Sequence, residues 1–308
     1  MSEGLELLGK AIATYWTSPV PLSVLAVCGA SMGTLLYVFA TNARNAKLRV
    51  SLLTGLYALS IFFWLFLAVS LVLCIAQARD VAYATTGVQV AVAGAVLASL
   101  VASAAVSFGV WRYAPASVLR RFAPREPGGD EAWLQSYADL VAEFERFPRP
   151  AVGIVDSDAP FAIAVGGRRP TVIVGSGLLR QLDRDEVETV VAHELMHLKH
   201  HDAGFKVFSR VFSRILFFDP FSKFFDPAVH REREYLADQA GARSTGKPAA
   251  LASALLKLSK AGTPPRATWG LSIHGPVKGV FSRYPPLRER VRRLLLLRDL
   301  LDAGRRGQ

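Results

Sequence analysis

Long runs of apolar residues are confined to the first 110 residues of the chain. Residues 20–40, 52–76 and 88–110 each approach or exceed the roughly 20 apolar residues that a helix needs to cross a bilayer. The third run is rich in Ala, Gly and Ser, which favours close helix packing within a membrane, although a hydrophobic soluble helix is the alternative. The pattern therefore predicts about three transmembrane helices within residues 1–114.

Basic residues cluster at two places beside these apolar runs. One group lies between the first and second runs and another follows the third: Arg44, Lys47, Arg49, Arg112, Arg120, Arg121 and Arg125. Three crossings place both groups on one side and residues 77–86 on the other, and cytoplasmic loops carry the excess of Lys and Arg. We therefore expect an inner or plasma membrane protein, without a cleavable signal peptide, whose remaining residues face the cytoplasm.

Shorter patterns follow the apolar region. Prolines and glycines near residues 124–129 indicate a linker over residues 115–129, and helical spacing resumes from Asp130, where a second domain of residues 130–308 begins. Three β-like runs, at residues 152–155, 161–165 and 171–174, predict a small sheet with a hairpin. The fold class is therefore α+β, with transmembrane helices first and a compact domain of a small sheet and helices second.

Residues 183–198 have the pattern of a buried helix. Asp183 followed by Glu186 predicts a capping box, and apolar residues then recur at helical spacing. Residues 193–197 of this helix read HELMH. Because residues four apart lie one above the other on a helix, His193 and His197 can bind one ion, and Glu194 can reach a water on that ion. The pattern therefore indicates one zinc ion per chain in a hydrolase, although two satisfied histidines on a buried helix are the alternative.

A catalytic zinc usually takes three protein ligands, so a third donor is expected downstream. Residues 231–238 predict a second helix that places Glu234 and Asp238 on one face. Glu234 is the predicted third ligand, and Asp238 is expected to orient a histidine ring, with Asp202 as a weaker candidate for the same work.

Residues 203–225 are apolar, but several charges, including Lys206, interrupt them within less than a membrane thickness. An amphipathic segment at the membrane interface or beside the cleft is the preferred interpretation, and a re-entrant or spanning pair is the alternative. Lys199 and the arginines of the last helix, including Arg290, are interpreted as solvated faces, with contact to anionic lipid headgroups as the alternative.

Composition narrows the functional classes. The formal charge of +11 does not come from a basic run interleaved with aromatics, so a nucleic-acid partner is not expected. Cys28 and Cys74 both lie inside apolar runs, which argues against a disulfide framework or a cysteine-based metal site.

The paired sequences HELMH and EYLAD (residues 193–197 and 234–238) resemble those of the HtpX-like family of integral-membrane zinc metallopeptidases, relatives of the CAAX prenyl endopeptidases. Residues 176–179 (SGLL) and 284–290 (YPPLRER) add to a likeness that covers roughly residues 130–297. The resemblance implies a gluzincin-type fold, with His193, His197 and Glu234 as zinc ligands and Glu194 as general base.

One position departs from the family pattern. Members usually have His immediately before the Pro-Pro pair, where it is thought to help hold the developing oxyanion, and here the residue is Tyr284. A tyrosine hydroxyl can donate the same hydrogen bond, so Tyr284 is the predicted oxyanion donor, against simple packing at the loop end. His230, four residues before Glu234, is a second candidate for a ligand or an oxyanion donor.

The functional expectation is a membrane-anchored zinc endopeptidase in membrane-protein quality control. Its expected substrates are proteins or peptides, chiefly membrane proteins. They are predicted to add as a strand to the edge formed by Phe161, Ala162, Ile163, Ala164 and Val165. Two rivals stay open. One is a dedicated protease, either of the CAAX type or a repressor-cleaving sensor, and three spans with a short N-terminus count against the sensor. The other is a silent membrane scaffold, against which Glu194 counts.

Overall fold

The computed structural model describes residues 2–17, 19–41, 46–77, 85–215, 217, 219–261, 268, 272–275 and 282–306. The chain divides into two compact units, Met1–Val110 and Trp111–Gln308.

The first unit is built from helices. They are α1 (Ser2–Thr17), α2 (Pro19–Thr41), α3 (Ala46–Gln77) and the first part of α4 (Thr85–Phe122). Within the described residues, three segments are long and apolar enough to cross a membrane: Pro19–Phe39, Gly55–Val72 and Val92–Phe122. They overlap the three predicted apolar runs, so the prediction of three spans is confirmed. The predicted linker over residues 115–129 begins too early, because α4 continues as a helix to Phe122. Helix α1 was not predicted.

Polar contacts join the helices of this first unit. The Tyr15 hydroxyl of α1 donates a 2.9 Å hydrogen bond to Ser70 of α3, and Ser103 of α4 donates one of 3.0 Å to the carbonyl of Ala58. Ala95, Ser99 and Ser103 are all buried and recur every four residues along α4. Small residues at this spacing form a narrow stripe that allows close approach, as the composition of the third run predicts.

The second unit is an α+β domain, as predicted. Its elements after α4 are α5 (Trp133–Phe144), β1 (Ala151–Val155), β2 (Ala162–Val165), β3 (Thr171–Gly175), α6 (Ser176–Gln181), α7 (Arg184–Lys199), α8 (Asp202–Ile215), α9 (Pro220–Thr245), α10 (Pro248–Lys260) and α11 (Leu287–Arg306).

The three strands form one sheet in the order β1-β3-β2. Strands β2 and β3 make the predicted hairpin, with Ala162 opposite Val174, while β1 runs parallel to β3. Strand β2 is therefore an edge strand, although Ile163 makes an isolated antiparallel bridge to Ser272 on its outer side. All four residues of β2 are buried.

Helix α7 lies at the centre of this domain. Its capping box is present: the Asp183 side chain accepts from the Glu186 N–H at 2.9 Å, and Glu186 accepts from the Asp183 N–H at 3.0 Å. Every residue from Thr189 to Leu198 is buried, because α7 packs against α9, α10, α5 and β2. Gly241 of α9 marks the closest approach, where an added Cβ would lie 2.9 Å from the backbone nitrogen of His193.

Residues 203–225 are divided between α8 and the start of α9. Helix α8 buries Phe205, Val207 and Phe212 and exposes Arg214 in its last turn, so it combines buried apolar residues with exposed charge and is amphipathic, as predicted. Within the described residues, the candidate membrane spans lie in α2, α3 and α4, and α8 is not among them. Phe205 of α8 packs beside His230 of α9, within the second unit.

Candidate functional site

Helix α7 supplies two histidines whose side chains are fully buried. His193 and His197 lie one turn apart, and their Nε2 atoms are 3.2 Å from each other. Their ring centroids are 4.8 Å apart, with the ring planes at 85°. Both imidazoles therefore present one nitrogen to the same point.

Helix α9 brings a carboxylate to that point. Glu234 Oε2 lies 3.5 Å from His193 Nε2, and Oε1 lies 3.4 Å from His197 Nε2. One donor atom from each of these three side chains lies within 4.8 Å of the other two. The close crossing of α7 and α9 thus joins residues that are about 40 positions apart in the sequence.

The spacing of these donors fits a tetrahedral metal ion. Ligands bound at about 2.0–2.2 Å in a tetrahedron lie roughly 3.3–3.6 Å from one another, close to the distances found here. Glu234 Oε2 and Glu194 Oε1 are buried without a hydrogen-bond partner in the part of the chain that the structure describes. Buried carboxylate oxygens are costly unless they are paired or coordinate a metal, so the donor set favours a bound cation.

Each histidine is held from behind by a different aspartate. His193 Nδ1 lies 3.0 Å from Asp238 Oδ1, and His197 Nδ1 lies 3.4 Å from Asp202 Oδ2. Both aspartates are buried. The geometry suits the orienting role predicted for both, because a ligating imidazole commonly donates its other N–H to a carboxylate.

Arg290 completes the first of these arrangements. It donates hydrogen bonds of 2.7 and 2.6 Å to the two oxygens of Asp238 and one of 2.6 Å to the carbonyl of Ile273. Arg290 is only 3% exposed, so its interpretation as part of a solvated face is wrong. The sequence carried a signal: Arg290 shares its face of α11 with Leu294 and Leu297, four and seven residues on, and both are buried.

The second arrangement has its own arginine. Arg233 pairs with Asp202 and lies with its guanidinium 5.3 Å from the ring centroid of Phe205. Arg233 is buried as well. Each of the two aspartates is thus neutralised by an arginine from α9 or α11, and neither is left as an uncompensated buried charge.

Glu194 lies beside the donors without belonging to them. Its Oε2 accepts a 2.8 Å hydrogen bond from the Ala164 N–H of β2. Burial raises the pKa of the Glu194 carboxyl, although Lys206 and the two histidines oppose the rise. Burial would also raise the pKa of Glu234, but Lys206 and the two histidines overcome burial and hold it well below its usual value. Two glutamates in one site therefore differ in proton affinity.

A lysine that the sequence reasoning missed also enters the site. Lys206 of α8 is 1% exposed, and its Nζ donates a 2.6 Å hydrogen bond to Glu234 Oε1 and lies 2.9 Å from His197 Nε2. In the sequence it is only a charge within an apolar stretch. The spacing within α8 carries a weak signal, because Lys206 lies between the buried Phe205 and Val207.

The two candidates for the oxyanion lie in packed surroundings. Tyr284 is 7% exposed, and its ring fills the space beside Gly275, where an added Cβ would come within 2.2 Å of it. His230 is buried, with Nε2 2.7 Å from the Ser209 hydroxyl and its ring beside Phe205. The group of donors that the structure assembles consists of His193, His197 and Glu234 and does not include His230.

Comparison with known proteins assigns the chain to a family. A family model described as BlaR1 peptidase M56 matches residues 154–279, which contain the donors above. The chain is 33% identical over 251 residues to a protein named Protease HtpX homolog from Pyrococcus furiosus, covering 65% of this chain and 86% of that relative. The chain belongs to the HtpX protease family. A second HtpX homolog, from Dictyoglomus thermophilum, is 30% identical over 245 residues, 64% of this chain and 81% of the relative.

Membership of the HtpX family and three apolar spans make the chain an integral membrane protease that depends on a metal. The predicted family resemblance is thereby confirmed. Among solved structures, Ste24p of S. mikatae matches with a TM-score of 0.39 and 16% identity, over 96% of this chain and 99% of that one.

Proposed function

We propose that this HtpX-family protein is a zinc endopeptidase of the HEXXH type that acts in membrane-protein quality control. One zinc ion per chain is held by His193, His197 and Glu234. The observation that carries this proposal is the convergence of these three buried donors at tetrahedral spacing, with Glu194 beside them. A merely structural metal site does not need such a glutamate.

Zinc, when bound, polarises the scissile carbonyl and lowers the pKa of its bound water. Glu194 accepts the proton of the attacking water and delivers it to the leaving amine. Burial supports this role, because it raises the pKa of Glu194 towards that of a useful base. The Ala164 N–H fixes the carboxylate by binding Oε2 and leaves Oε1 for the water. Asp238 and Asp202 hold the rings of His193 and His197 in the ligating orientation.

The proposed substrate is an extended segment of a protein, chiefly a membrane protein, that adds to the outer edge of β2. Residues 161–165 lie next to Glu194, since the Ala164 N–H reaches its carboxylate. Ser272 now pairs with Ile163 at this edge, so a substrate strand must displace that contact. Recognition through the backbone suits broad specificity.

Tyr284 is proposed to donate a hydrogen bond to the developing oxyanion. An unchanged kcat in Tyr284→Phe would exclude that role.

The decisive experiment compares the cleavage of a model membrane substrate by wild type and by Glu194→Gln, both purified in detergent. We expect wild type to lose activity with a chelator and regain it with zinc. Glu194→Gln should retain zinc but lose activity by roughly 10²–10⁴-fold, because the proton acceptor is gone. Glu188→Gln is the matched control, since Glu188 lies on the same helix and pairs with Arg184 and Lys247 away from the donors. Equal cleavage by wild type and Glu194→Gln would overturn the catalytic assignment of Glu194, whereas no cleavage by either protein would point to a silent scaffold.

A second candidate function has one observation in its favour. The matching family model is that of a BlaR1 peptidase, and this suggests a dedicated protease that cleaves one regulatory protein after a signal. The two functions share the donors and differ in substrate range. Comparison of membrane-protein turnover in cells with wild type or Glu194→Gln separates them: many stabilised proteins indicate quality control, and a single one indicates signalling.

A further inference from the structure

A buried lysine lies beside the three proposed metal ligands, which is unusual for a metal site. Lys206 is 1% exposed, and its Nζ lies within hydrogen-bonding distance of two of the three donor side chains, Glu234 and His197. Its own helix fixes it there, because the adjacent residues Phe205 and Val207 are buried. A lysine is almost never fully buried unless it is paired. Its ammonium therefore adds a positive charge directly beside the proposed ligand atoms.

The two aspartates behind the histidines already have charge partners. Asp238 is paired with Arg290, and Asp202 is paired with Arg233. Glu234 is paired with Lys206 at 2.6 Å, while Arg290 lies further from it, at 3.6 Å. The lysine is thus the cation closest to the donor carboxylate among the described residues.

A metal ion and this ammonium compete for the same atoms. Glu234 Oε1 and His197 Nε2 are the atoms that Nζ contacts, and both belong to the donor set. Like charges that share two donors in a buried site repel strongly, because the low dielectric screens them little. Nζ must therefore leave these atoms when a divalent cation binds them.

We propose that Lys206 is an internal counter-ion that holds the donors together before the metal enters and that weakens metal binding by competing for Glu234 and His197. This inference rests on the proposed metal centre. Lys206 stabilises the metal-free protein, since it is the closer of the two cations that compensate the buried carboxylate of Glu234, with Arg290 at 3.6 Å. The ion binds a preassembled site, but with lower affinity than the same donors would give without the lysine.

The test compares full-length wild type, Lys206→Met and Lys199→Met in detergent. Methionine keeps the length and the apolar stem of lysine and removes the charge. Lys199 pairs with Glu145 at the end of α7, outside the donor set, so it is the matched control. Zinc affinity is measured by competition with a chromophoric chelator, and the thermal unfolding temperature is measured with and without zinc.

For Lys206→Met we expect zinc to bind at least about tenfold more tightly, because the competing charge is absent. The unfolding temperature of the metal-free protein should fall, and the rise on adding zinc should exceed that of wild type. Lys199→Met should behave as wild type in both measurements. Lys206→Gln, which is also neutral, gives the same comparison if the methionine variant does not fold.

Two outcomes overturn the proposal. Weaker zinc binding in Lys206→Met would mean that the amine is itself a ligand. Unchanged zinc affinity and unchanged stability would mean that Lys206 affects neither metal binding nor the metal-free protein. The variant His193→Ala tests the proposed metal centre separately from the proposal about Lys206. It should abolish zinc binding whether or not Lys206 is present. Zinc binding that survives in His193→Ala would reject the proposed ligands.

Discussion

The two histidines of the site differ in what stands behind them. His193 is backed by Asp238 and Arg290 from two other helices, whereas His197 is backed by Asp202, which follows α7 directly, and by Arg233. Arg290 also binds the carbonyl of Ile273, so it links α11 and α9 to a segment beside β2. The orientation of His193 therefore depends on the packing of the last helix.

Arg290→Met should lower stability by about 3–5 kcal/mol, because it leaves Asp238 buried without its charge partner. The zinc affinity should fall by roughly 10–100-fold, since the acceptor that orients His193 is loosened. Thermal unfolding and chelator competition measure the two effects. Arg292→Met is the control: Arg292 is exposed and pairs with Glu289 at the surface, so its replacement should leave stability and zinc affinity nearly unchanged. Equal effects of the two substitutions would contradict the positioning role.

At the scale of elements, the crossing of α7 and α9 assembles the donors. The crossing is close because Gly241 has no side chain: a Cβ there would lie 2.9 Å from the nitrogen and 3.0 Å from the Cα of His193. Both contacts are with backbone, which cannot rotate away as a side chain can. Any larger residue must therefore separate the two helices that carry His193 and Glu234.

Gly241→Ala should thus destabilise the protein by about 1–3 kcal/mol through overpacking and reduce zinc affinity. Gly204→Ala is the matched control, because Gly204 lies in α8 and an added Cβ there meets nothing within 4 Å. That control should be neutral or stabilising by up to about 1 kcal/mol, as expected for Gly to Ala within a helix. Thermal unfolding and zinc titration of both variants provide the measurement, and a neutral Gly241→Ala would show that the crossing tolerates separation.

At the scale of the whole molecule, the proposed orientation places the protease domain in the cytoplasm. It rests on the basic residues that flank the first and third spans. Two single cysteines test it, in a background with Cys28 and Cys74 replaced by alanine: Asp158→Cys, whose position is fully exposed, and Asp80→Cys in the link predicted to lie outside.

A membrane-impermeant maleimide added to intact cells should label Asp80→Cys and spare Asp158→Cys. Inverted membrane vesicles should give the reverse pattern, because their cytoplasmic face is turned outwards. Labelling of Asp158→Cys in intact cells would place the protease domain on the opposite side and exclude cytoplasmic substrates.

Much of the fold follows from patterns within single elements. The apolar runs predicted the three spans, and Asp183 with Glu186 predicted the capping box at the start of α7. The hairpin of β2 and β3 follows from two short β-like runs with a glycine-containing turn. These features depend on residues close together in the sequence, whose geometry the backbone itself sets.

Local spacing predicts some residues of the candidate site but not others. Spacing within α7 places His193, Glu194 and His197, because four residues make about one helical turn. Spacing likewise places Glu234 and Asp238 on one face of α9, and the structure brings that face against α7. The presence of Lys206 and Arg290 in the site was not predicted, because each comes from a different helix and enters only through packing.

The sequence by itself therefore determined the membrane spans, the helix that carries both histidines and the face that carries Glu234. Each of these features follows from the periodicity of apolar and polar residues within one segment. Only the tertiary structure decided the order of the sheet, the close approach at Gly241 and the burial of Lys206 and Arg290. Those features depend on the angles and distances between elements far apart in the chain, which no local spacing specifies.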